Sequence, residues 1–493
     1  MNKSRTSKVF ALSLGRGLTT IVTLVSGMVM ARVLSQAELA TYRQTLMAYE
    51  VAIPLLSLGL PQGIYYFLPT EKTRLRGVVV DALVMMVVMG LLYALFIALG
   101  GNHLLAKRFS NPAIVNTLVY LVPLPIVMLP AGLLASVMVV QDQVKKLTVY
   151  NVVTNLAIAL AIIVACFLFK TPESMILVRV AISILIGLIG IYIMLKSLPR
   201  DDWRPHLCNM NTMIQYSIPL LGATALGTIS MQLDKVVVSS MCSPEESAVY
   251  FIGATQLPLI GIITGSIAAV IQPDLRRQIV SGDKQAALSL FRKAAEKSSA
   301  ILIPVMFFLL VSAKPFILVL FSAKYLDSVL PFQFYLMILP IRIAQYGAFQ
   351  LALGLNREIM YRSAIGLAVN LGLSIVFVGW LGSIGAVIAT LITLYFVNCS
   401  LNLALISRSI RCRWWEVLPF GFITQITLLA LGSVGPVLLV RIMNFSIPPT
   451  LELLLNFGIY VSSLLMISKI FHVNLFQMEI KGICKKVMKF AKT

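Results

Sequence analysis

Ile229 to Tyr250 reads ISMQLDKVVVSSMCSPEESAVY, and the fold turns on this stretch. It begins inside an apolar run long enough to cross a bilayer, carries the acid–base pair Asp234-Lys235 within that run, and ends in a short polar turn. The turn has an echo near the N-terminus, where Ser35 to Tyr42 reads SQAELATY. Aligned without a gap, Ser35/Ser243, Glu38/Glu246, Ala40/Ala248 and Tyr42/Tyr250 are identical. A second echo supports the first. Leu124-Pro125-Ile126 recurs as Leu339-Pro340-Ile341, and the same offset pairs Asn155 with Asn370. Self-similarity at a long, nearly fixed offset marks two copies of one structural unit.

Composition says where those copies live. Of 493 residues, 59% are hydrophobic and only 12% charged, against about 25% charged in soluble proteins. The mean hydropathy is +0.91, and many apolar runs reach the length of a membrane helix. The net charge of +21 does not point to nucleic acid, because almost all the basic residues sit in short segments between apolar runs. His103, His206 and His472 are scattered and form no metal cluster, and the cysteines lack CxxC spacing. Cys166 and Cys399 lie inside apolar runs and read as small hydrophobes. The run from Val9 to Leu34 is too long for a signal-peptide core and reads as a retained first span.

The runs predict about fourteen membrane helices, since a single lipid-exposed span satisfies its backbone only as a helix. They fall at 9–34, 40–68, 77–99, 113–140, 149–169, 175–195, 212–241, 247–271, 299–321, 329–355, 363–381, 385–406, 417–440 and 451–468. On one side lie both termini and the basic connections. The opposite connections carry only Lys107, Arg108, Lys170, Lys324 and Arg441. The positive-inside rule then puts both termini in the cytoplasm, with Gly282 inside and Ser110 outside. A six-span unit crosses an even number of times, so both copies enter from the same side. Parallel repeats of this kind meet at a central cavity. The expected fold is an all-α polytopic membrane protein with a six-helix lobe over 1–195 and a second over 196–406. Two appended helices follow over 407–468, then a basic cytoplasmic tail over 469–493 that lies along anionic headgroups. Gly282 to Lys297 places apolar residues on one helical face and predicts a short interfacial helix.

Charges inside the spans are costly and are usually kept for a reason. Arg342 lies near the middle of the tenth run, with Gln345 one turn on and Gln350 beyond. Either it faces a cavity or it pairs with a carboxylate or with backbone carbonyls. Arg16 in the first run either serves function or reaches the headgroups; Arg32 and Arg43 flank the first polar turn. That turn, with its S-x-x-E spacing, reads as a helix-capping box in both copies. Arg179, Lys235 and Lys314 complete the basic residues within or at the ends of spans. Glu50 and Asp234 are the carboxylates well inside spans and so the candidates for coupling to protons or cations, with structural pairing as the alternative. Asn155 and Asn370 are candidates for a polar cavity wall. Gly261-x-x-x-Gly265 permits close helix contact. There is no HExxH, P-loop or GxSxG signature, and nothing in the sequence supports catalysis, a metal or a cofactor.

Three stretches carry a family resemblance: MARVLSQAELATY at Met30–Tyr42, ISMQLDKVVVSSMCSPEESAVYFIGATQ from Ile229, and GWLGSIGAVIATLIT from Gly379. With them the chain resembles the bacterial polysaccharide-biosynthesis membrane proteins, the Wzx-type O-antigen and oligosaccharide flippases of the multidrug/oligosaccharidyl-lipid/polysaccharide exporter superfamily. The resemblance implies two six-helix lobes around a cavity, often with two extra helices, in the inner membrane. It implies transfer of an undecaprenyl-diphosphate-linked sugar from the inner to the outer leaflet, with polysaccharide polymerase machinery as a candidate partner. Flippases of peptidoglycan precursors carry a denser arginine motif in the first span, where this chain has Arg16 and Arg32. On the physical side, an anionic diphosphate suits the planar guanidinium fork. Arg342 with Arg16 and Lys235 is the expected diphosphate site, with Gln345, Gln350, Asn155 and Asn370 as polar lining. A cation-coupled drug antiporter of the same superfamily and a membrane enzyme of polysaccharide assembly are the alternatives. The first would favour a carboxylate-rich cavity, and the second a large outer loop, which this sequence lacks.

Overall fold

The computed structural model describes residues 19, 21–71, 73–199, 201–255, 257–443 and 447–471. Among these, every regular element is helical, as backbone groups in a lipid environment require. In chain order the helices begin with α1 (Ile21–Val33), α2 (Gln36–Leu56), α3 (Leu60–Thr70), α4 (Leu75–Phe96), α5 (Asn102–Arg108) and α6 (Ile114–Leu121). Then come α7 (Pro123–Ala131), α8 (Leu133–Val140), α9 (Val144–Phe169), α10 (Pro172–Lys196), α11 (Leu207–Met241), α12 (Pro244–Gly253) and α13 (Pro258–Val280). The rest are α14 (Lys284–Val311), α15 (Ala313–Leu320), α16 (Val329–Leu336), α17 (Tyr346–Leu353), α18 (Asn356–Leu381), α19 (Ser383–Ile392), α20 (Ser400–Ile410), α21 (Phe420–Gly432), α22 (Val434–Ile442) and α23 (Pro449–Ile470). Ten helical stretches among the described residues are long and apolar enough to cross a membrane, and the chain is a multi-pass membrane protein.

Those ten overlap ten of the expected runs, the ninth only in part because its helix covers Lys284–Val311; the first, seventh, eighth and tenth runs are the other four. The first run begins outside the described residues, as do Arg16 and most of the basic tail. The seventh is α11, a 35-residue helix that carries Gln232, Asp234 and Lys235. The eighth is split between α12 and α13. The tenth, over 329–355, is a corrected expectation: it is no continuous helix. It breaks into α16, a 3-10 turn at Leu339–Ile343 and α17, with Ala344 extended at φ −100° and ψ 130°. Pro340 sits in the first turn of that 3-10 segment, where its missing N–H is not needed.

The chain divides into two compact units. The first comprises the described residues up to Ser266 together with Asn356–Asn398; the second comprises Ile267–Leu355 and the described residues from Cys399 onward. Inside the first unit, α7 packs against α4 and α10, α18 against α11 and α19, and α12 against α2. Close approach is made at glycines. A Cβ on Gly90 would meet the Ile126 Cα at 2.7 Å, and one on Gly187 the Val127 side chain at 2.8 Å. Gly261 and Gly265, expected to serve this way, meet nothing within 4 Å among the described residues. Between α2 and α3, Gly59 takes φ 70°, and a Cβ there would collide with the Ser217 carbonyl at 2.5 Å. Only glycine allows both that turn and that contact.

In the second unit, α14 packs against α21, and α23 against α15, α21 and α22. Ile303, Ile426, Leu429 and Ala430 make one core, and Val311, Val437 and Tyr460 another. The interfacial helix expected over Gly282–Lys297 is also corrected: it forms the first turns of the 28-residue α14. Its apolar face meets protein, with the Phe291 ring tilted against those of Phe349 and Tyr346 at centroid distances of 4.8 and 6.2 Å. An amphipathic pattern reads the same whether a membrane surface or a neighbouring helix covers it.

Candidate substrate and coupling site

The two repeated turns are helix starts. Ser35 caps α2: its Oγ accepts the Glu38 N–H at 3.3 Å, and Glu38 Oε2 accepts the Ser35 N–H at 2.8 Å. This is the reciprocal capping box that the spacing predicts. Ser243 caps α12 through its Oγ, which accepts the Glu246 N–H at 3.1 Å. Glu246 does not return the bond. Its Oε1 accepts the Ser383 N–H at 2.7 Å, at the start of α19.

Two turns into each helix stands the repeated tyrosine, 1% exposed at Tyr42 and 0% at Tyr250. Tyr250 donates its hydroxyl to Asp234 Oδ2 at 2.7 Å, and the other oxygen, Oδ1, accepts the Lys235 N–H at 2.9 Å. Asp234 is 6% exposed, so these bonds replace water for a buried carboxylate. Tyr42 accepts at its hydroxyl from Arg179 Nη1 at 3.0 Å. The same tyrosine thus meets an acid in one copy and a base in the other.

Between the two lies a line of polar groups. Lys235 donates from Nζ to Gln232 Oε1 at 3.4 Å, and Gln232 donates from Nε2 to Glu50 Oε2 at 3.2 Å. Glu50 also acts electrostatically on Arg179. The line therefore runs from α11 across α2 towards α10. It holds two cations and one carboxylate, with Asp234 turned away to Tyr250. Of the sequence candidates, Glu50 and Lys235 are brought together, with Asp234 next in the chain but separately bonded. Gln232, Arg179, Tyr42 and Tyr250 were given no role from sequence. Signals existed: Gln232 precedes Lys235 by one helical turn, Arg179 is an in-span base, and the tyrosines are repeat partners.

In the second unit Arg342 sits on the 3-10 break, half-buried, and makes no hydrogen bond or ion pair among the described residues. Gln345 is half-buried and caps α17, and its carbonyl accepts the Phe349 N–H at 3.2 Å. Gln350, further along α17, is 0% exposed and donates from Nε2 to Asn402 Oδ1 at 2.8 Å, while its Oε1 has no hydrogen-bond partner among the described residues. The paired asparagines diverge. Asn155 is exposed on α9 with its amide turned back to the Asn151 carbonyl. Asn370 is buried on α18, where its Oδ1 accepts from Ser374 Oγ at 3.1 Å.

A buried carboxylate near the start of the third run carried no expectation. Asp81, fully buried on α4, takes two bonds from Arg74 at 2.9 and 3.3 Å and the His206 N–H at 2.9 Å. Arg74 also donates to the Arg204 carbonyl, and the Arg76 N–H donates to Asp201 Oδ1 at 3.0 Å. These bonds fasten the 201–206 segment to the start of α4.

Residues 29–330 match the sequence pattern of a family described as polysaccharide biosynthesis protein. Comparison with the curated proteins gives no match by sequence. By structure the chain is similar to the lipid II flippase MurJ in an inward closed conformation, with a TM-score of 0.76 at 15% identity, over 94% of this chain and 99% of that one. It is similar to an inward-facing multidrug resistance MATE transporter of the MOP superfamily, with a TM-score of 0.58 at 13% identity, over 80% of this chain and 96% of the other. A MOP superfamily transporter from Pyrococcus furiosus gives a TM-score of 0.58 at 12% identity, over 82% and 96% of the two chains. At these identities the likeness establishes the fold.

Proposed function

This chain belongs to the polysaccharide biosynthesis protein family, and from that premise we propose that it flips a polyprenyl-diphosphate-linked oligosaccharide from the inner to the outer leaflet of a bacterial cytoplasmic membrane. In this reading the sugar is a unit of O-antigen or another surface polysaccharide, both termini are cytoplasmic, and the two repeat lobes share a cavity. The protein acts by moving its substrate, without chemistry on it.

One observation carries the reading. Arg342 is a half-buried guanidinium with no counter-charge among the described residues, set on a break in an otherwise apolar run. A fixed cation in a low-dielectric setting is costly unless an anion visits it. The break adds to this, because α17 begins just beyond it and the first N–H groups of a helix have no carbonyl of their own helix to bond. A diphosphate offers several oxygens to such a fork. Lys235 and Arg16 are proposed to assist, Gln345 and Gln350 to meet the sugar, and Glu50 or Asp234 to couple the cycle to a gradient.

The test is a strain lacking its own flippase, scored for lipid-linked sugar held on the inner leaflet and for polymer at the cell surface. Wild type restores polymer, Arg342→Lys restores part of it, and Arg342→Ala restores little at equal protein level. Surface polymer at wild-type level with Arg342→Ala removes Arg342 from the diphosphate role. Transport that survives Glu50→Gln, Asp234→Asn and the double change removes both from coupling. Impermeant thiol labelling of Ser110→Cys but not Gly282→Cys from outside checks the orientation; both positions are exposed.

A further inference from the structure

A half-open cavity of about 290 Å3 lies in the first unit between α2, α5, α11 and α18. Met47 and Val51 of α2, Leu233 and Val237 of α11, and Ile375 of α18 wall it, and the exposed Arg108 at the end of α5 completes it. Protein interiors are close-packed, with few voids larger than one water. This space is roughly ten times a water's share of liquid volume, and its lining is almost wholly apolar. Arg108 makes no hydrogen bond or ion pair among the described residues.

The cation is carried on an anchored segment. Just after α5, Asn111 donates from Nδ2 to Thr41 Oγ1 at 3.0 Å and to Gln44 Oε1 at 2.8 Å, and its own N–H reaches the Ala106 carbonyl at 3.0 Å. Further along, the Thr45 and Thr117 hydroxyls bond at 2.6 Å. Five buried polar side chains of α2, α6 and the α5–α6 connection thereby tie these elements together, which fixes where Arg108 stands relative to the apolar wall.

We propose that this slot holds the first isoprene units of a polyprenyl phosphate, with the phosphate on Arg108. The proposal rests on the reading of the chain as a flippase of lipid-linked sugar, and it names a site for the carrier lipid apart from Arg342. An apolar slot with one arginine in its lining fits a ligand whose charge begins where its single hydrocarbon chain ends. A glycerophospholipid brings two chains and sets its phosphate apart from them by a glycerol. The guanidinium fork suits phosphate oxygens, and the flexible Met47 adapts to a branched chain. The charge count puts this end of α5 on the outer side, where a carrier arrives after transfer.

The test uses the full-length protein in nanodiscs and a polyprenyl monophosphate with a diazirine in its first isoprene units. After irradiation the label maps to Met47–Val51 and Leu233–Val237. Unlabelled polyprenyl phosphate competes, while neutral polyprenol and phosphatidylglycerol do not. Arg108→Gln weakens labelling roughly ten-fold or more and Arg108→Lys retains part of it, as expected for one charge-assisted contact. The proposal is overturned if the label maps elsewhere, if Arg108→Gln labels like wild type, or if phosphatidylglycerol competes equally, which assigns the slot to a phospholipid. Surface polymer in the flippase-deficient strain separates the two readings. Polymer restored with the label elsewhere removes the slot alone; slot labelling without restored polymer removes the flippase reading alone.

Discussion

In α2, Glu38 folds back on Ser35; in α12, Glu246 leaves Ser243 and caps α19 through the Ser383 N–H. The two helix starts share their residues and their Ser Oγ cap, yet one closes on itself and the other joins a neighbour. The buried tyrosines repeat the contrast, one accepting from Arg179 and the other donating to Asp234. A duplicated sequence therefore keeps its local device and reassigns its tertiary partner. A cap needs only its own turn, so its second group is free to be recruited elsewhere.

That contrast can be broken most strongly at Tyr250. Replacing it by Phe leaves a carboxylate that is 6% exposed with one bond fewer, a loss of about 2 kcal/mol for a bond to a charged group. Thermostability in detergent should fall clearly, and Asp234→Asn in the Tyr250→Phe background should recover part of it. A recovery of nothing would mean that Asp234 is not held as a charged acceptor. Gly382→Ala comes next. Gly382 takes φ 62°, and a Cβ there would stand 2.5 Å from Glu246 Oε1, so the change should cost about 1 to 2 kcal/mol. Its effect should shrink in a Glu246→Ala background; equal effects in both would deny the clash. Tyr42→Phe should cost less than Tyr250→Phe, near 1 kcal/mol, because the half-buried Arg179 keeps access to other partners. The smallest pair concerns the caps. Glu38→Ala should speed hydrogen exchange at the Ser35 amide, and Glu246→Ala should speed it at Ser383 while leaving Ser243 nearly unchanged, each within about 0.5 to 1 kcal/mol.

Most of the fold was legible because a bilayer leaves few choices: apolar length and basic flanks place the ends of α4, α9, α10 and α23 to within five residues. The tenth run was misread for the opposite reason. Its apolar composition runs unbroken through Leu339-Pro340-Ile341, and hydropathy does not report φ and ψ. The same tripeptide opens the helical α7 in the other copy, where Leu124-Pro125-Ile126 follows Pro123. Gly282–Lys297 was misjudged because the sequence does not name what covers an apolar face. At the site, Glu50 and Lys235 stood out as charges in lipid, whereas Gln232, which joins them, did not. A neutral amide within a span is cheap enough to pass without notice, and only geometry shows that it bridges.

The segment from Asp201 to His206 looks in sequence like a slack tether between two long helices. Arg74, Arg76 and Asp81 hold it at the Arg204 carbonyl, the Asp201 carboxylate and the His206 N–H. A strap stitched at three points has no play to give. Any rocking of α11 against α10 must therefore drag the start of α4 along or tear the stitches. Hydrogen exchange at the His206 amide, which donates to Asp81 Oδ1, should accordingly be slow in the folded protein and fast once Asp81 is replaced by Ala.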